Sequence, residues 1–259
     1  MVRLLGEESG VKHDQASITD RPAVEALIAR RRPDVVFNCA AYNAVDQAET
    51  ERDAAFAVNA DGPGNIAAAC RLNRASLVHF STNFVFDGST AEPYIESDDP
   101  LPLSAYGASK LAGERAVLET GTHVLVIRTA GVFGATTGRS FPERILVRAA
   151  SGEKLRVVSD QSVSPTYARD LAAAAVDLAA GGMAGIVHVV NDGCAGWDEF
   201  ARVALAEAGV NAAVESIKTS DYPTPARRPI NGCLGSIRYH ALRPWKEAVG
   251  DWAQSLGSP

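Results

Sequence analysis

Short apolar runs alternate with Ala-rich segments of helical period along most of the chain. The runs are rich in β-branched residues and end near small or polar residues, which is typical of buried strands. They predict strands at DVVFNCAA (34–41), SLVHFST (76–82), HVLVIRTAGVF (123–133) and IVHVV (186–190). Helical periodicity predicts helices within 51–73, 109–119 and 168–180.

This alternation is typical of βαβ units and predicts an α/β fold with a doubly wound, parallel, Rossmann-like sheet. Runs that are apolar on both faces suit strands covered by helices on two sides. In such sheets ligands bind beyond the carboxyl ends of the strands. Three predicted strand ends therefore become candidate site segments: 38–41, 81–83 and 128–131.

The pattern loosens after about residue 135, and loops are expected at 135–141 and 222–229. We therefore predict a cofactor-binding and catalytic region at 1–135. Residues 136–259 are expected to form mainly a small C-terminal substrate-binding lobe, with segments around 160–190 returning to the sheet.

Composition and charge argue against a nucleic-acid partner, a membrane helix and a signal peptide. The 259 residues are 46% hydrophobic and 22% charged, as in an ordinary globular protein. The net charge of −6 argues against a nucleic-acid partner, whose phosphates call for a basic surface. No stretch approaches the roughly 20 apolar residues of a membrane helix. The acidic start MVRLLGEESG is too short for a signal peptide.

The four cysteines are Cys39, Cys70, Cys194 and Cys233. They form no C-x-x-C pair, and no His stands at metal-ligand spacing, so no metal site is predicted. We expect reduced, mostly buried thiols, which in turn predict a cytoplasmic location.

Tyr106 and Lys110 stand four residues apart, so that on a helix they share one face. A Lys ammonium beside a phenol stabilises the phenolate, and such a phenol can exchange a proton with a carbonyl oxygen. Thr82, at the end of a predicted strand, could hydrogen-bond the same oxygen. Alone, Y-x-x-x-K more often marks a solvated helix face; the preceding strand and acidic, Pro-rich loop favour the catalytic interpretation.

Several segments resemble those of the dTDP-4-dehydrorhamnose reductases, a family of extended short-chain dehydrogenases/reductases. FSTNFVFDG (80–88) resembles their S-T-D-Y-V-F-D-G, and PLSAYGASKLAGE (102–114) resembles their catalytic helix. The further matching segments are CAAYNAVDQAE (39–49), AFAVNADGPGNIA (55–67), SVSPTYARDLA (162–172) and YPTPARRP (222–229). The resemblance extends from about residue 16 onward.

The resemblance implies the reduction of a nucleotide-linked 4-keto-6-deoxysugar, with dTDP as the expected carrier and NADPH or NADH as cofactor. The implied catalytic residues are Thr82, Tyr106 and Lys110. The implied cofactor-binding residues are Ala40, Ala41, Tyr42, Asn59 and again Lys110, and the implied substrate-binding residues are Asn83, Phe84, Gly131 and Arg227. A homodimer is a further expectation, and neither nucleic acid nor a membrane is an expected partner.

The chain departs from the family at its start. Rossmann-type proteins hold a pyrophosphate on a Gly-rich loop between the first strand and the first helix. MVRLLGEESG resembles the end of that helix, so about 25 residues are expected to be missing before it. Either the given start is misplaced, which is the expectation because loss of the central strand would expose two strand edges, or the protein has lost this unit. Gly62-Pro63-Gly64-Asn65-Ile66-Ala67 reads G-x-G-x-x-A, but it follows a helical segment and is expected to allow helix packing instead.

It also departs at positions that face the sugar by analogy. Asn83-Phe84 stands where the family has Asp-Tyr, and Gly131 stands where many members have an aromatic residue. These changes predict a different sugar, because a site built to bond a hydroxyl discriminates strongly. Ser17, where an Asp is common, weakens the expected adenine contact.

Two alternatives remain open. The chain could be a non-catalytic sugar-nucleotide-binding or regulatory subunit, as in a relative that regulates methionine adenosyltransferase. It could also catalyse another extended-family reaction, such as epimerisation or dehydration. Dehydratases pair the Thr with Asp-Glu, however, and Asn83-Phe84 supplies no acid.

Overall fold

The structure, a computed structural model, describes residues 10–12, 16–134 and 140–256. The helix end expected at the start of the chain, within residues 1–9, lies outside the described residues, as does most of the loop expected at 135–141. The helices of the described part are α1 (Arg21–Arg31), α2 (Arg52–Phe56), α3 (Gly62–Asn73), α4 (Ala105–Leu118), α5 (Phe141–Ala150), α6 (Ala168–Ala180), α7 (Trp197–Glu207) and α8 (Trp245–Leu256). The strands are β1 (Val35–Asn38), β2 (Ser76–Thr82), β3 (Val124–Thr129), β4 (Val132–Phe133), β5 (Leu155–Val158), β6 (Ser162–Val163), β7 (Thr166–Tyr167), β8 (Gly185–His188), β9 (Asn191–Asp192), β10 (Ala195–Gly196), β11 (Val214–Ile217), β12 (Asn231–Gly232) and β13 (Leu242–Pro244).

A four-stranded parallel sheet in the order β1-β2-β3-β8 forms the centre of the fold. Successive strand residues point to opposite faces. Leu77 and Val124 pack with α1, α3 and α4 on one face, whereas Val78 and Leu125 pack with α6 on the other. The prediction of a doubly wound parallel sheet is therefore confirmed.

A separate aromatic core forms beside the sheet. Phe133, Phe200, Trp245 and Trp252 pack together between α7, α8 and the sheet-side strands β4 and β7. Short strand pairs surround this core, namely β5 with β11, β6 with β10 and β12, and β9 with β13. Of the later half of the chain, α6 packs on the central sheet and β8 pairs with β3 as its last strand.

The cysteine prediction is wrong for one pair. Cys194 and Cys233 form a disulfide with a Cα–Cα distance of 5.8 Å, whereas Cys39 is a free, exposed thiol and Cys70 a free, buried one. The two paired residues lie 39 positions apart, so only tertiary structure brings them together. The expectation of a cytoplasmic location consequently loses the support of uniformly reduced thiols.

Glycines allow helices to pack closely at the point where the site forms. A Cβ on Gly62 would lie 2.6 Å from Ile18, so this residue is a packing glycine rather than part of a phosphate loop, as expected. On α4, a Cβ on Gly107 would lie 2.2 Å from the Phe84 carbonyl oxygen, and one on Gly113 2.0 Å from that of Asn59. Helix α4 therefore lies directly against the backbone at Phe84 and Asn59.

Candidate active site

The candidate site forms where β2 ends at Thr82 and α4 begins. Ser104 caps α4, because its Oγ accepts a hydrogen bond from the Gly107 backbone N–H at 3.1 Å. The helix therefore starts at Ala105, four residues before the start expected from periodicity. This start places Tyr106 in the first turn and Lys110 one turn further along the same face.

Tyr106 contacts Thr82 in a largely dry environment. The Tyr106 side chain is buried, and burial raises the pKa of its phenol to about 12, an effect that a hydrogen bond with Thr82 partly offsets. Phe84 packs edge-on against the Tyr106 ring, with 5.5 Å between the ring centroids. The phenol is therefore protonated at neutral pH and held in one orientation.

Lys110, one helical turn after Tyr106, is buried with only 3% of its surface exposed. Its Nζ donates a hydrogen bond to the Phe80 carbonyl oxygen at 2.6 Å. Burial lowers the pKa of Lys110 to about 8, and the negative charge of Glu114 opposes that shift. Burial and the nearby Lys110 charge together lower the pKa of His79 on β2, so this imidazole is neutral.

The sequence analysis missed a buried ion pair between Arg128 and Glu114, which stands one helical turn after Lys110. Arg128 forms two hydrogen bonds with Glu114, at 2.9 and 2.7 Å, and both side chains are 2% exposed or less. Ser81 Oγ donates a third, at 2.5 Å, to the same carboxylate. An acid four residues after Lys110 and an Arg inside an apolar strand were the sequence signals that could have revealed this pair.

Asn59 holds the loop after β1 rather than reaching into open space. It lies in a π-helical turn (Ala57–Asp61) and is fully buried. Its Oδ1 accepts a hydrogen bond from the Tyr42 N–H at 2.8 Å, and its Nδ2 donates to Tyr42 O and to Ser109 Oγ. Asn59 thus joins the expected cofactor loop to the catalytic helix.

Ala40 and Ala41 lie at the open carboxyl end of β1. Ala40 is exposed, Ala41 is half-buried, and the Ala40 N–H donates to Asn38 Oδ1 at 3.1 Å. Because their side chains are methyl groups, the backbone there is accessible to a ligand. In the described part of the chain, no strand and Gly-rich loop precede β1.

Of the residues expected to face the sugar, Asn83 and Phe84 lie beside Thr82 and Tyr106, whereas Gly131 packs against the 163–165 segment. Phe84 lies against Tyr106, and Asn83 is buried beside Thr82. Gly131 has a left-handed backbone with φ of +52°, and a Cβ there would lie 2.9 Å from Val163 Cγ2. An aromatic side chain therefore does not fit at position 131 without a shift of the 163–165 segment.

The structure distinguishes the two adjacent arginines of the 222–229 loop. Arg227 is exposed, whereas Arg228 makes hydrogen bonds to both carboxylate oxygens of Asp46, at 2.9 and 2.8 Å. Arg228 and Asp46 line an open cleft of about 370 Å³, with Arg144 of α5 on its wall. Arg144 and Arg228 are cleft residues that the sequence analysis missed, because their separation in sequence conceals their proximity.

Two classes of feature are not found in the part of the chain that the structure describes. No group of His, Cys, Asp and Glu side chains there could hold a metal ion. Helices in the same ranges are too short or too polar to cross a membrane.

Comparisons with known proteins agree with this geometry. A model of the RmlD substrate binding domain matches residues 5–257. The dTDP-4-dehydrorhamnose reductase of Burkholderia thailandensis is 39% identical over 269 aligned residues, covering 95% of this chain and 90% of the relative. A probable dTDP-4,6-dihydroxy-2-methyloxan-3-one 4-ketoreductase of Streptomyces antibioticus is 38% identical over 264 residues, covering 96% and 88% of the two chains.

A solved structure is similar over almost the same length. The dTDP-4-dehydrorhamnose reductase of Bacillus anthracis in complex with NADP superposes with a TM-score of 0.92 at 33% identity, covering 95% of this chain and 89% of that one. The family match, the relatives and the site geometry agree. The chain therefore belongs to the RmlD family of dTDP-4-dehydrorhamnose reductases, as its motifs indicated.

Proposed function

We propose that this protein catalyses the NAD(P)H-dependent reduction of the keto group of a nucleotide-linked 4-keto-6-deoxysugar, with dTDP as the nucleotide. The convergence of Thr82, Tyr106 and Lys110 at the end of β2 carries this proposal. Relatives named as dTDP-sugar ketoreductases at 38–39% identity support it. A purely structural role gives no reason to bury an ammonium group one helical turn from a buried phenol.

The residues account for the protonation half of the reaction. Reduction adds a hydride to the carbonyl carbon and a proton to its oxygen, and the cofactor supplies the hydride when bound. Tyr106 donates the proton, and its raised pKa keeps that proton on the phenol at neutral pH. The Lys110 ammonium stabilises the phenolate that remains, and Thr82 holds the phenol in place.

A nicotinamide cofactor fits the strand ends. Thr129 is the strand neighbour of Thr82, is only 7% exposed, and its Oγ1 has no hydrogen-bond partner among the described residues. A buried, unpaired hydroxyl at this place can receive a polar group of a ligand. Ala40, Ala41, Lys110 and the Tyr42 backbone fixed by Asn59 would hold the cofactor.

The substrate's nucleotide has a matching surface. Arg144 offers a guanidinium to the cleft beside the loop 43–47, where the charge of Arg228 is paired with Asp46, and a guanidinium suits phosphate or a base carbonyl. Arg227, which is exposed on the same 222–229 loop as Arg228, remains a proposed contact of the substrate's nucleotide. In this proposal residues 1–135 supply catalysis and 136–259 mainly supply substrate binding, and the reaction takes place in the cytoplasm.

Replacing the proton donor tests the proposal. We expect Tyr106→Phe to lower kcat by about a hundredfold or more, since general-acid catalysis contributes on that scale. NADPH absorbance is followed with dTDP-4-keto sugars, and nicotinamide fluorescence reports cofactor binding. Tyr239→Phe, a half-buried tyrosine packed against α6, is the matched control and should retain activity.

Two outcomes would contradict the proposal. Full activity in Tyr106→Phe would exclude the proton-donor mechanism. A wild-type protein that binds NADPH or a dTDP-sugar but reduces none of the 4-keto sugars would favour the non-catalytic binding role instead.

A further inference from the structure

A buried chain of hydrogen bonds leads from β2 to the loop after β1. Asn38, the last residue of β1, and His79 on β2 are direct partners in the parallel register, and both side chains are buried. Asn38 Nδ2 lies 3.1 Å from His79 Nδ1, and the Ala40 N–H donates to Asn38 Oδ1 at 3.1 Å. One amide side chain thus joins an imidazole in the interior to the backbone of the expected cofactor loop.

Hydrogen-bond counting fixes the direction of each bond in this chain. A backbone N–H only donates, so the Asn38 atom that meets Ala40 is the oxygen, and the group that meets His79 is the NH₂. His79 Nδ1 must then accept, which places the proton of the neutral ring on Nε2. Burial and the Lys110 charge lower the pKa of His79, so the ring stays neutral and keeps the Nδ1 lone pair.

The other nitrogen of the His79 ring makes no hydrogen bond within the described residues. Nε2 is buried without a partner there, and a Cβ on Gly113 of α4 would lie 3.6 Å from it. A buried polar group without a partner costs free energy, which an apolar side chain at this position would avoid. The Nδ1 contact with Asn38 is therefore what the imidazole adds over an apolar residue.

Two side-chain amides hold the backbone of the loop 40–42. Asn38 accepts from the N–H of Ala40, whereas Asn59 accepts from the N–H of Tyr42 and donates to its carbonyl oxygen. The N–H of Ala41, between them, makes no hydrogen bond with the described part of the chain. The loop is thus fixed on either side of one N–H group that a ligand can use.

We infer that His79 is a positioning residue for the nicotinamide cofactor: its Nδ1 orients the Asn38 amide, and Asn38 thereby holds the loop 40–42 in the form that binds the cofactor. The inference rests on the proposed function and extends it to a fully buried residue of the sheet. A loop that is already ordered binds more tightly, because less freedom is lost on binding. Loss of the Nδ1 contact should therefore weaken cofactor binding while leaving the proton donor Tyr106 in place.

Two amide substitutions of His79 separate this role from packing. His79→Asn keeps an acceptor oxygen on Cγ, the atom to which Nδ1 is bonded, whereas His79→Gln places its amide one bond further out, near the Nε2 position. We expect His79→Gln to raise the NADPH dissociation constant by about five- to tenfold, on the scale of one lost hydrogen bond, and His79→Leu to do the same. His79→Asn should restore the wild-type value.

The split between binding and turnover is the second readout. With saturating NADPH, kcat of His79→Gln should stay close to the wild-type value, because the lost interaction acts on binding and not on the chemical step. The matched control is His188→Leu, which removes another buried histidine of the same sheet, whose Nδ1 contacts the carbonyl oxygens of Tyr94 and Gly235. It should leave NADPH affinity unchanged.

Two NMR measurements test the chain of bonds without catalysis. The imidazole nitrogen shifts of the wild type should show the His79 proton on Nε2. Hydrogen exchange of the Ala40 amide should be faster in His79→Gln than in the wild type or His79→Asn, because Asn38 no longer holds that N–H.

Three results would overturn the inference: a His79 proton on Nδ1, NADPH affinity in His79→Gln equal to that of the wild type, or equal weakening in His79→Asn and His79→Gln. Failure of the proposed function is separate, since then the wild type itself would bind no NADPH or reduce no keto sugar.

Discussion

At the scale of single residues, the buried ammonium of Lys110 lowers the stability of the folded chain while serving the proposed reaction. Its pKa of about 8 in the folded chain lies below the ordinary value of 10.5 because burial disfavours the ammonium. A shift of this size corresponds to a cost of about 3 kcal/mol in the charged state. Both the folded and the unfolded chain are charged at neutral pH, so the folded protein bears this cost in full there.

Lys110→Met should therefore raise the free energy of unfolding at pH 7 by about 1–3 kcal/mol while abolishing reduction. The unfolded chain binds the proton up to pH 10.5 and the folded chain only to about 8, so wild-type stability rises across that window. The advantage of Lys110→Met should shrink there, as urea unfolding at pH 7 and about 9.5 would show. Lys154→Met, whose side chain is 86% exposed, is the control; an equal gain from it would refute the burial argument.

At the scale of elements, the site depends on the attachment of α4 to the sheet. Arg128 on β3 and Glu114 on α4 pair in a dry interior, and Arg128 also lies over the Phe86 ring at 5.1 Å. Such pairs are costly to form and costlier to break, because the remaining charge is left without a partner. The pair therefore fixes the helix that carries Tyr106 and Lys110.

Arg128→Met should destabilise the protein by about 3–5 kcal/mol, and so should Glu114→Leu. The double variant should lose less than either single variant, since it leaves no unpaired buried charge. Denaturant unfolding of the four proteins forms a double-mutant cycle. Losses that simply add would show that the two charges do not stabilise one another.

At the scale of the whole molecule, the later half of the chain is held over the sheet by a few long-range links. Arg228 bonds Asp46 across 182 positions, and Asn83 bonds Gly232 across 149. The disulfide between Cys194 and Cys233 ties the turn after β9 to the residue that follows β12. The cleft lined by Asp46, Arg144 and Arg228 lies beside the first of these links.

Cys194→Ser should lower the free energy of unfolding by about 3–4 kcal/mol under oxidising conditions, because the disulfide restricts the unfolded chain. Reduced wild-type protein should match the variant. Cys39→Ser, which changes a free thiol, should leave stability unchanged. If reductant has no effect on wild-type unfolding, the two thiols are not joined in solution.

Local patterns were sufficient for much of this protein. The apolar runs predicted the strands of the central sheet, and the spacing of Tyr106 and Lys110 placed both on one helical face, because strand and helix periods act over a few residues. The matching segments of the resemblance led to the family. The helix start at Ala105 needed only the Ser104 cap, which is also a local signal.

Tertiary structure alone decided how the distant residues meet. The contacts of Asn59, Asn83 and Arg228 and the Cys194–Cys233 pairing each depend on a partner far along the chain. A side chain's partner is determined by which backbone atoms lie within about 3 Å of it, and no local period encodes that distance. The sequence by itself therefore determined the sheet and the catalytic helix, whereas packing of the two halves decided what each polar side chain does.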